Sequence, residues 1–398
     1  MKTEVNAKLK IGIIGAGVGG LSAGIMLNRL GHDVTIYERE KKLDSVGAGI
    51  QISSNGRSIL EKIGLDAEVL KIASKPSSLC LFDAFQKNKI GSIEICNRLE
   101  DRYKHAFLVM HREDLINALY NEIKKEGIKI FFGMKAEPKK CSEKILISIN
   151  NENIPIEKDL IIAADGVNSI WKKALMSENK FRPISQSAYR VTVECKYLSK
   201  QFVNDDINLF LDLGKHFVSY HLKTKKVVNF VFCKRDSNKT IKNWKKKISK
   251  ETFFNEFGKP EILSDAMEKI KYIYKWPLVE SEIPRTLTTK NVALVGDAAH
   301  GMLPYLAQGA NKALEDSWDL CKLLQSKSND LEERLNSYSK KRLERIKKLD
   351  KASVKNEKLY HLERIFYRSF MYSILRIIFK FLPNFVFWRL DWIYKFKV

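Results

Sequence analysis

The chain has 398 residues, 44% of them apolar, and a formal net charge of +23. That length and apolar content exclude a disordered chain and suggest a core large enough for two domains, interleaved in sequence. The positive charge is spread along the sequence without a zinc finger, an RNA-recognition motif or a basic-aromatic repeat, so no nucleic acid partner is expected and solvated lysines are the preferred explanation.

Six cysteines (80, 96, 141, 195, 233 and 321) are scattered with no CxxC pair. A disulfide scaffold, a dithiol redox centre and a metal site are therefore not expected, and reduced thiols fit a cytoplasmic protein. Met1–Lys8 is polar and lacks the apolar stretch of a signal peptide, and no run of about 18 apolar residues predicts a spanning helix.

In chain order, Lys8–Ile14 predicts a strand that runs into Gly15-Ala16-Gly17-Val18-Gly19-Gly20, and Leu21–Leu30 has helical spacing up to Gly31. Asp33–Tyr37 predicts a second strand ending in Glu38, 18 positions after the last glycine. A GxGxxG between strand and helix, followed by an acidic residue, is a dinucleotide-binding pattern. Gly15 permits the tight turn, Gly17 lets backbone approach a pyrophosphate, Gly20 allows helix and strand to pack closely, and Glu38 suits a ribose diol.

Val46–Gln51 is a second small-residue stretch, suited to lying against a flat ligand, and Asn55–Ile63 predicts a helix stopped by Gly64. Ser78–Cys96 reads as two strands around a turn near 87–89. At His111-Arg112-Glu113-Asp114-Leu115 a helix opens and runs to about Lys125. Arg112 there is either a forked phosphate donor or a surface ion-pair partner of Glu113 or Asp114. Strands are predicted at Ile128–Phe132 and Lys144–Ile149, the latter turning at Asn150–Asn153, and a buried strand at Asp159–Ala164 leads into Asp165-Gly166-Val167-Asn168-Ser169.

From Ser187 to Lys234 the pattern is β throughout, which predicts an antiparallel sheet as a substrate domain. His216 and Tyr220 share one face of a strand there, and His221 projects from the other. On spacing alone, a histidine at the core edge and a packed tyrosine is the preferred reading. Asn291–Leu320 combines a short apolar strand, a Gly296-Asp297 turn, a small-residue loop with His300, Pro304 and Gly309, and a helix from about Ala310. Such a helix start favours a polar, partly anionic ligand.

Three motifs in this order, GAGVGG with Glu38, ADGVNS at 164–169 and GDAAH…P…QGAN at 296–311, resemble the single-component FAD-dependent monooxygenases, in particular aromatic hydroxylases of the salicylate and hydroxynicotinate hydroxylase kind. GAGIQISSNGRSILEKIGL (47–65), the HREDL segment and RLDWIY (389–394) look like the same subgroup, and the similarity covers nearly the whole chain. It implies an α/β architecture, with a Rossmann-like FAD-binding domain from 1–75, 100–185 and 285–330 interleaved with an antiparallel-sheet substrate domain from 76–99 and 186–284. A C-terminal helical region, 331–398, follows.

The resemblance also implies roles. Gly15, Ala16, Gly17 and Gly20 would hold the FAD pyrophosphate, Glu38 with Arg39 the adenosine ribose region, and Arg112 the diphosphate–ribose. Asp165 and Gly166 would serve both FAD and a transient NADH or NADPH donor. Asp297 would bind the ribityl or pyrophosphate part, Gln51 would follow a segment that approaches the flavin ring, and Pro304 would lie where oxygen reacts. Gly309, Ala310 and Asn311 would sit at the flavin N1–C2=O edge. His216 would be general base and Tyr220 its orienting partner, in a reaction that uses O2 and a flavin C4a-hydroperoxide to hydroxylate a small phenol or aromatic carboxylate. His300 would be structural. The alternatives are a hydroxylase of a lipophilic quinone precursor and a non-catalytic FAD-fold protein. Departures from the family pattern are Lys172 in place of an arginine, Gly301 in place of a proline, and His221 where proline is common.

Leu331–Leu362 predicts a long surface helix packing one apolar stripe. In Ile365–Phe381, Arg368, Ser369, Ser373, Arg376 and Lys380 fall within an arc of about 140° at helical spacing, the rest being apolar, and Pro383 is read as the stop. Two readings stand for 365–398: a peripheral membrane contact, or an apolar face capping the substrate domain or a partner subunit such as a second copy. Comparable helices in soluble relatives favour the capping reading.

Overall fold

The computed structural model describes residues 8–43, 49–141, 144–150, 155–175, 181–236, 246–270, 272–326 and 330–398. Val46, Gly47 and Ala48 of the second small-residue stretch, and Asn151 to Asn153 of the expected turn, lie outside the described residues. The architecture is α/β, built on a six-stranded and an eight-stranded sheet.

The six-stranded sheet runs Thr288–Thr289, Val292–Leu294, Leu160–Ala163, Lys10–Ile14, Asp33–Glu38, Lys129–Phe132. All neighbours are parallel except the first pair. Parallel strands are covered on both faces, which is why these segments read as unbroken apolar runs. Leu160–Ala163 and Val292–Leu294 are fully buried. The register pairs Ile14 with Ala163 and Ala163 with Leu294, so three strands end level with one another. The turns at Gly15, Asp165-Gly166 and Gly296-Asp297, up to 282 residues apart in sequence, therefore emerge side by side at the carboxyl edge, where ligands bind in open α/β sheets. Helices Val18–Arg29 and Gly309–Leu324 pack on each other behind this edge, and Ser317 Oγ donates to Gly19 O at 2.9 Å.

The eight-stranded sheet runs Lys246–Ser249, Tyr272–Ser281, Phe181–Glu194, Val227–Arg235, Lys215–Leu222, Ile207–Asp212, Ser78–Asp83, Asn88–Glu94. It is antiparallel except where Ile207–Asp212 meets Ser78–Asp83. Its two strands between 246 and 281 extend beyond the 187–234 stretch that the alternation marks. The period of two gives the sheet two different faces. One carries Phe210, Phe217, Phe230, Phe232 and Tyr189, closed by Phe253 and Phe257 of the helix Lys250–Phe257 into an aromatic core. On the other, the register lines up His216 opposite Cys233 and Cys233 opposite Ala188, with Tyr220 opposite Asn229 and Arg190 opposite Val231.

The helix Leu331–Tyr360 buries a stripe through Leu335, Tyr338, Ile346 and Leu349, as its spacing predicts, but Arg342 belongs to that stripe too and is fully buried. Its guanidinium meets Asp316 at 2.7 Å, Glu315 at 3.0 Å and Asp319 at 3.1 Å, so the helix is tied to Gly309–Leu324 by ions as well as by apolar packing. The helix Ile365–Phe381 packs through Tyr372 onto Leu81, Leu209 and Leu211 at the far side of the eight-stranded sheet. Here the expected polar arc is split. Arg368 is buried, pairs with Asp83 at 2.5 Å and donates to Leu211 O at 3.0 Å, whereas Phe366 and Phe370 of the supposed packing face are exposed. Pro383 does not end the helical region. It opens a further helix, Pro383–Tyr394, where its fixed φ and missing N–H cost nothing in a first turn.

Candidate active site

At the first turn, φ of +100° at Gly15 demands a glycine, and a Cβ on Gly20 would lie 2.0 Å from Gly15 O. These two glycines serve the chain's own packing. A Cβ on Gly17 would meet nothing within 4 Å, so that position is open on the ligand side. Gly17 also offers no side-chain cap to the helix Val18–Arg29, which leaves the helix start suited to an anion. Glu38 Oε2 accepts the Ala16 N–H at 2.7 Å, and its Oε1 accepts the Glu40 N–H at 2.9 Å. Arg39 points outward and pairs with Glu40 at 3.2 Å.

At the second turn, Asp165 Oδ2 accepts the Ile170 N–H at 3.0 Å, while its buried Oδ1 has no partner in the protein. Burial raises its pKa. At the third, φ is +66° at Gly296, and Asp297 has a half-exposed carboxylate 3.6 Å from Lys312 Nζ. His300 is buried and its Nε2 is 3.2 Å from Asp350 Oδ1. A Cβ at Gly301 would lie 2.5 Å from Val167 Cγ2, which accounts for a small residue where a proline was expected. Lys172 is buried, donates to Glu282 O at 2.9 Å, and burial pushes its ammonium down to about 8. Pro304 begins a short 3-10 turn, Pro304–Leu306, and leads to Ala307 at φ +54°.

Gly309 and Ala310 open the helix Gly309–Leu324, and a Cβ on Gly309 would again meet nothing within 4 Å. Asn311 joins this helix start to the strand Gly49–Ile52. Its Oδ1 accepts the Ser53 N–H at 3.0 Å, and its Nδ2 donates to Gln51 O at 3.2 Å and Ala307 O at 2.9 Å. The strand is held from the other side as well. Gly49 N–H donates to Asn229 Oδ1 at 2.8 Å, Gln51 hydrogen-bonds Tyr220, and a Cβ on Gly49 would lie 2.4 Å from the Tyr220 hydroxyl. Gln51 and Tyr220 are thus brought together at the seam between the two sheets.

Arg112 starts the helix Arg112–Lys125 and reaches solvent, although protein atoms crowd its guanidinium. Burial and then the nearby Arg190 lower its pKa, opposed by Asp297. Arg190 lies over the Trp276 ring at 5.3 Å, and its Nε is buried without a partner. The Asn229 Nδ2 is orphaned in the same way. Two neighbouring guanidiniums and an unsatisfied amide make a site for negative charge.

His216 and Tyr220 occupy the same sheet face, both buried. Tyr220 faces Gly49 and Gln51, whereas His216 lies in an aromatic chamber with Tyr305 and Tyr360, ring centroids 5.4 and 5.2 Å away. Its Nδ1 is 2.8 Å from His361 Nε2. His361 Nδ1 stands 3.5 Å from Glu357 Oε1, and Glu357 also takes Arg235 at 2.7 Å and Gln186 at 3.0 Å. Burial, with His361 second, holds His216 well below the usual imidazole range, so the near-neutral pKa that made it an attractive base on paper does not survive folding. The ring is neutral at pH 7 and its nitrogen can accept a proton.

Arg190, Asn229, Tyr305, His361 and Glu357 are candidate site residues that the sequence pattern did not mark. Arg190 was detectable in principle, as a charge within an apolar β alternation. His361 and Glu357 come from the end of a C-terminal helix and gave no local signal. Among the described residues no cluster of three His, Cys, Asp or Glu side chains suits a metal.

The open glycines, the uncapped helix starts, the orphaned Asp165 oxygen and the neighbouring guanidiniums of Arg112 and Arg190 together fit an elongated ligand with a diphosphate and a flat ring. Comparison with known proteins agrees. Residues 8–353 match the family model described as an FAD binding domain. The chain is 25% identical over 359 residues to 3-amino-4-hydroxybenzoate 2-monooxygenase of Streptomyces cremeus, covering 90% of this chain and 89% of that one. It is 24% identical to 6-hydroxynicotinate 3-monooxygenase of Bordetella bronchiseptica, covering 88% and 92%. Its fold matches that of Klebsiella pneumoniae HpxO complexed with FAD and uric acid with a TM-score of 0.82 at 19% identity, over 97% of this chain and 99% of that one. The protein therefore belongs to the FAD binding domain family, that of the single-component FAD-dependent monooxygenases, and is an FAD-dependent oxidoreductase.

Proposed function

We propose that the protein hydroxylates a small aromatic compound carrying a phenol or a carboxylate, with NADH or NADPH as electron donor and O2 as oxidant. The observation that carries this reading is the meeting of the three strand-end turns with one polar patch of the eight-stranded sheet, Arg190, Asn229, His216 and Tyr220, across the Gly49–Ile52 strand. The names of the curated relatives, which act on hydroxybenzoates and hydroxynicotinate, support the substrate class.

FAD, when bound, would pass electrons from the nicotinamide to O2 and deliver one oxygen atom to the ring. The protein's part is to hold and orient. Gly15, Ala16, Gly17 and Gly20 with the following helix start would take the diphosphate, together with Arg112. Glu38, with Arg39 beside it, would serve the ribose. Asp165, Gly166 and Asp297 would bind the middle of the cofactor, and the orphaned Asp165 oxygen would gain its missing donor. The amides of Gly309, Ala310 and Asn311, at a helix start, would stabilise negative charge on the ring edge. Pro304 and Gln51 would border the ring.

On the substrate side, Arg190 and the Asn229 amide would bind a carboxylate or phenolate oxygen. His216, neutral, would accept the phenolic proton at Nε2 and release its Nδ1 proton to His361 Nε2. His361 would in turn pass its Nδ1 proton toward Glu357. Burial raises the Tyr220 pKa, so its hydroxyl stays protonated and orients the substrate. The unpaired cysteines support a reducing, cytoplasmic setting. The test is nicotinamide consumption by the flavin-loaded protein across phenols, aromatic carboxylates and quinone precursors. One small aromatic acid or phenol should accelerate it and yield hydroxylated product in equal amount. Product from quinone precursors alone would overturn the substrate assignment.

A further inference from the structure

Ten of the fifteen large apolar side chains exposed among the described residues lie between Ile365 and Trp392. On the helix Ile365–Phe381 they form a stripe. Phe366, Phe370, Ile377 and Phe381 are spaced by 4, 7 and 4 residues and face outward at 93%, 62%, 54% and 66% exposure. The inward side of the same helix is occupied by Arg368 and Tyr372, so the stripe is not the packing face. On Pro383–Tyr394, Phe385 and Trp388 continue the outward apolar surface, stacked at 5.7 Å. A contiguous exposed apolar surface of this kind marks an interaction site.

Charge indicates what covers it. Residues 365–398 contain six basic side chains and one acidic one, Asp391, which is held by Arg102 at 2.6 Å. Lys380, Arg389 and Lys397 are exposed in the same segment, Lys395 pairs with Asp391 at 2.9 Å, and Lys380 lies over the Phe381 ring at 5.2 Å. A second copy would bring two chains of net charge +23, and two sets of these cations, into apposition. Anionic lipid headgroups would instead pair with the cations while Phe and Trp enter the acyl boundary. Neither helix alone is long and apolar enough to cross a bilayer, and the pair is bent by 94°, which suits helices lying on a surface.

We propose that the outward faces of Ile365–Phe381 and Pro383–Tyr394 dock the enzyme on an anionic lipid surface. This docking does not depend on which aromatic compound is hydroxylated. The test is co-sedimentation of the FAD-loaded full chain with vesicles of phosphatidylcholine alone or mixed with phosphatidylglycerol. The protein should sediment with the mixed vesicles only, and less at high salt. Phe366→Ser with Phe370→Ser, and separately Lys380→Glu with Arg389→Glu, should each weaken binding by at least about tenfold with flavin content unchanged. Absence of binding to the mixed vesicles would overturn the proposal. So would binding by both variants as strong as that of the unaltered protein, or a dimer in light scattering that Phe366→Ser with Phe370→Ser dissociates while vesicle binding stays absent.

Discussion

The carboxyl edge of the six-stranded sheet and the inner face of the eight-stranded sheet are built by different means. At the edge, the geometry of each turn is local. A strand ends and a glycine, Asp-Gly or Gly-Asp turn follows, three times over, with parallel register bringing the turns level. On the face, the contributing segments are far apart in sequence. Arg190, His216, Tyr220 and Asn229 come from three strands, Gly49 and Gln51 from the other part of the chain, and His361 with Glu357 from the C-terminal helix. The edge is a standard fitting for one cofactor. The face is assembled from afar, its positions tied to one another by contacts such as Gly49 to Asn229 and His216 to His361, and under the proposed function it would set substrate choice.

If the two regions are functionally separate, variants should divide accordingly. The largest effect is expected from His216→Ala. Hydroxylation should slow by about 10²–10⁴-fold while flavin reduction by the nicotinamide stays unchanged in rapid mixing. Equal slowing of both half-reactions would erase the division. Arg342→Met tests the support behind the edge. It strands the buried Asp316 carboxylate, while Glu315 keeps Arg345 and Asp319 keeps Lys341, and should cost about 3–5 kcal/mol in denaturant unfolding. Arg190→Gln should weaken binding of an aromatic acid by about 1.5–3 kcal/mol, read by titration, without loss of flavin. A fall in flavin content instead would move Arg190 to the cofactor side.

The smallest effect concerns pH. Arg235 and His361 offset burial and hold Glu357 down, to about 2 against an ordinary 4.5. A carboxylate depressed by folding contributes stability that is complete above its unfolded pKa and is lost as pH falls through the folded one. Stability should therefore decline between about pH 4.5 and 2, and Glu357→Gln should flatten that part of the acid unfolding curve.

The sequence made the edge legible because its physics is local: glycine geometry, an acidic residue at a strand end, and helical spacing after a turn. It also made the face of His216 and Tyr220 legible, since alternation alone puts them together. It did not reveal that His216 meets His361, 145 residues away, nor that burial would lower its pKa. The helix Ile365–Phe381 does pack on the eight-stranded sheet, but its polar arc is split for a similar reason. Arg368 looked like a solvated cation, but its partner Asp83 is 285 residues distant, and once Arg368 turns inward the phenylalanines must face out.

A crystal structure of the flavin-loaded protein with a bound aromatic acid is the most direct measurement. The diphosphate should lie on the amides at Gly17 and beside Arg112, the ring edge at Gly309–Asn311, and the substrate between that ring and Arg190, Tyr220 and His216. A flavin ring bound away from the Gly309 helix start, or an aromatic acid bound with no contact to the Arg190–Tyr220 face, would contradict the shared site.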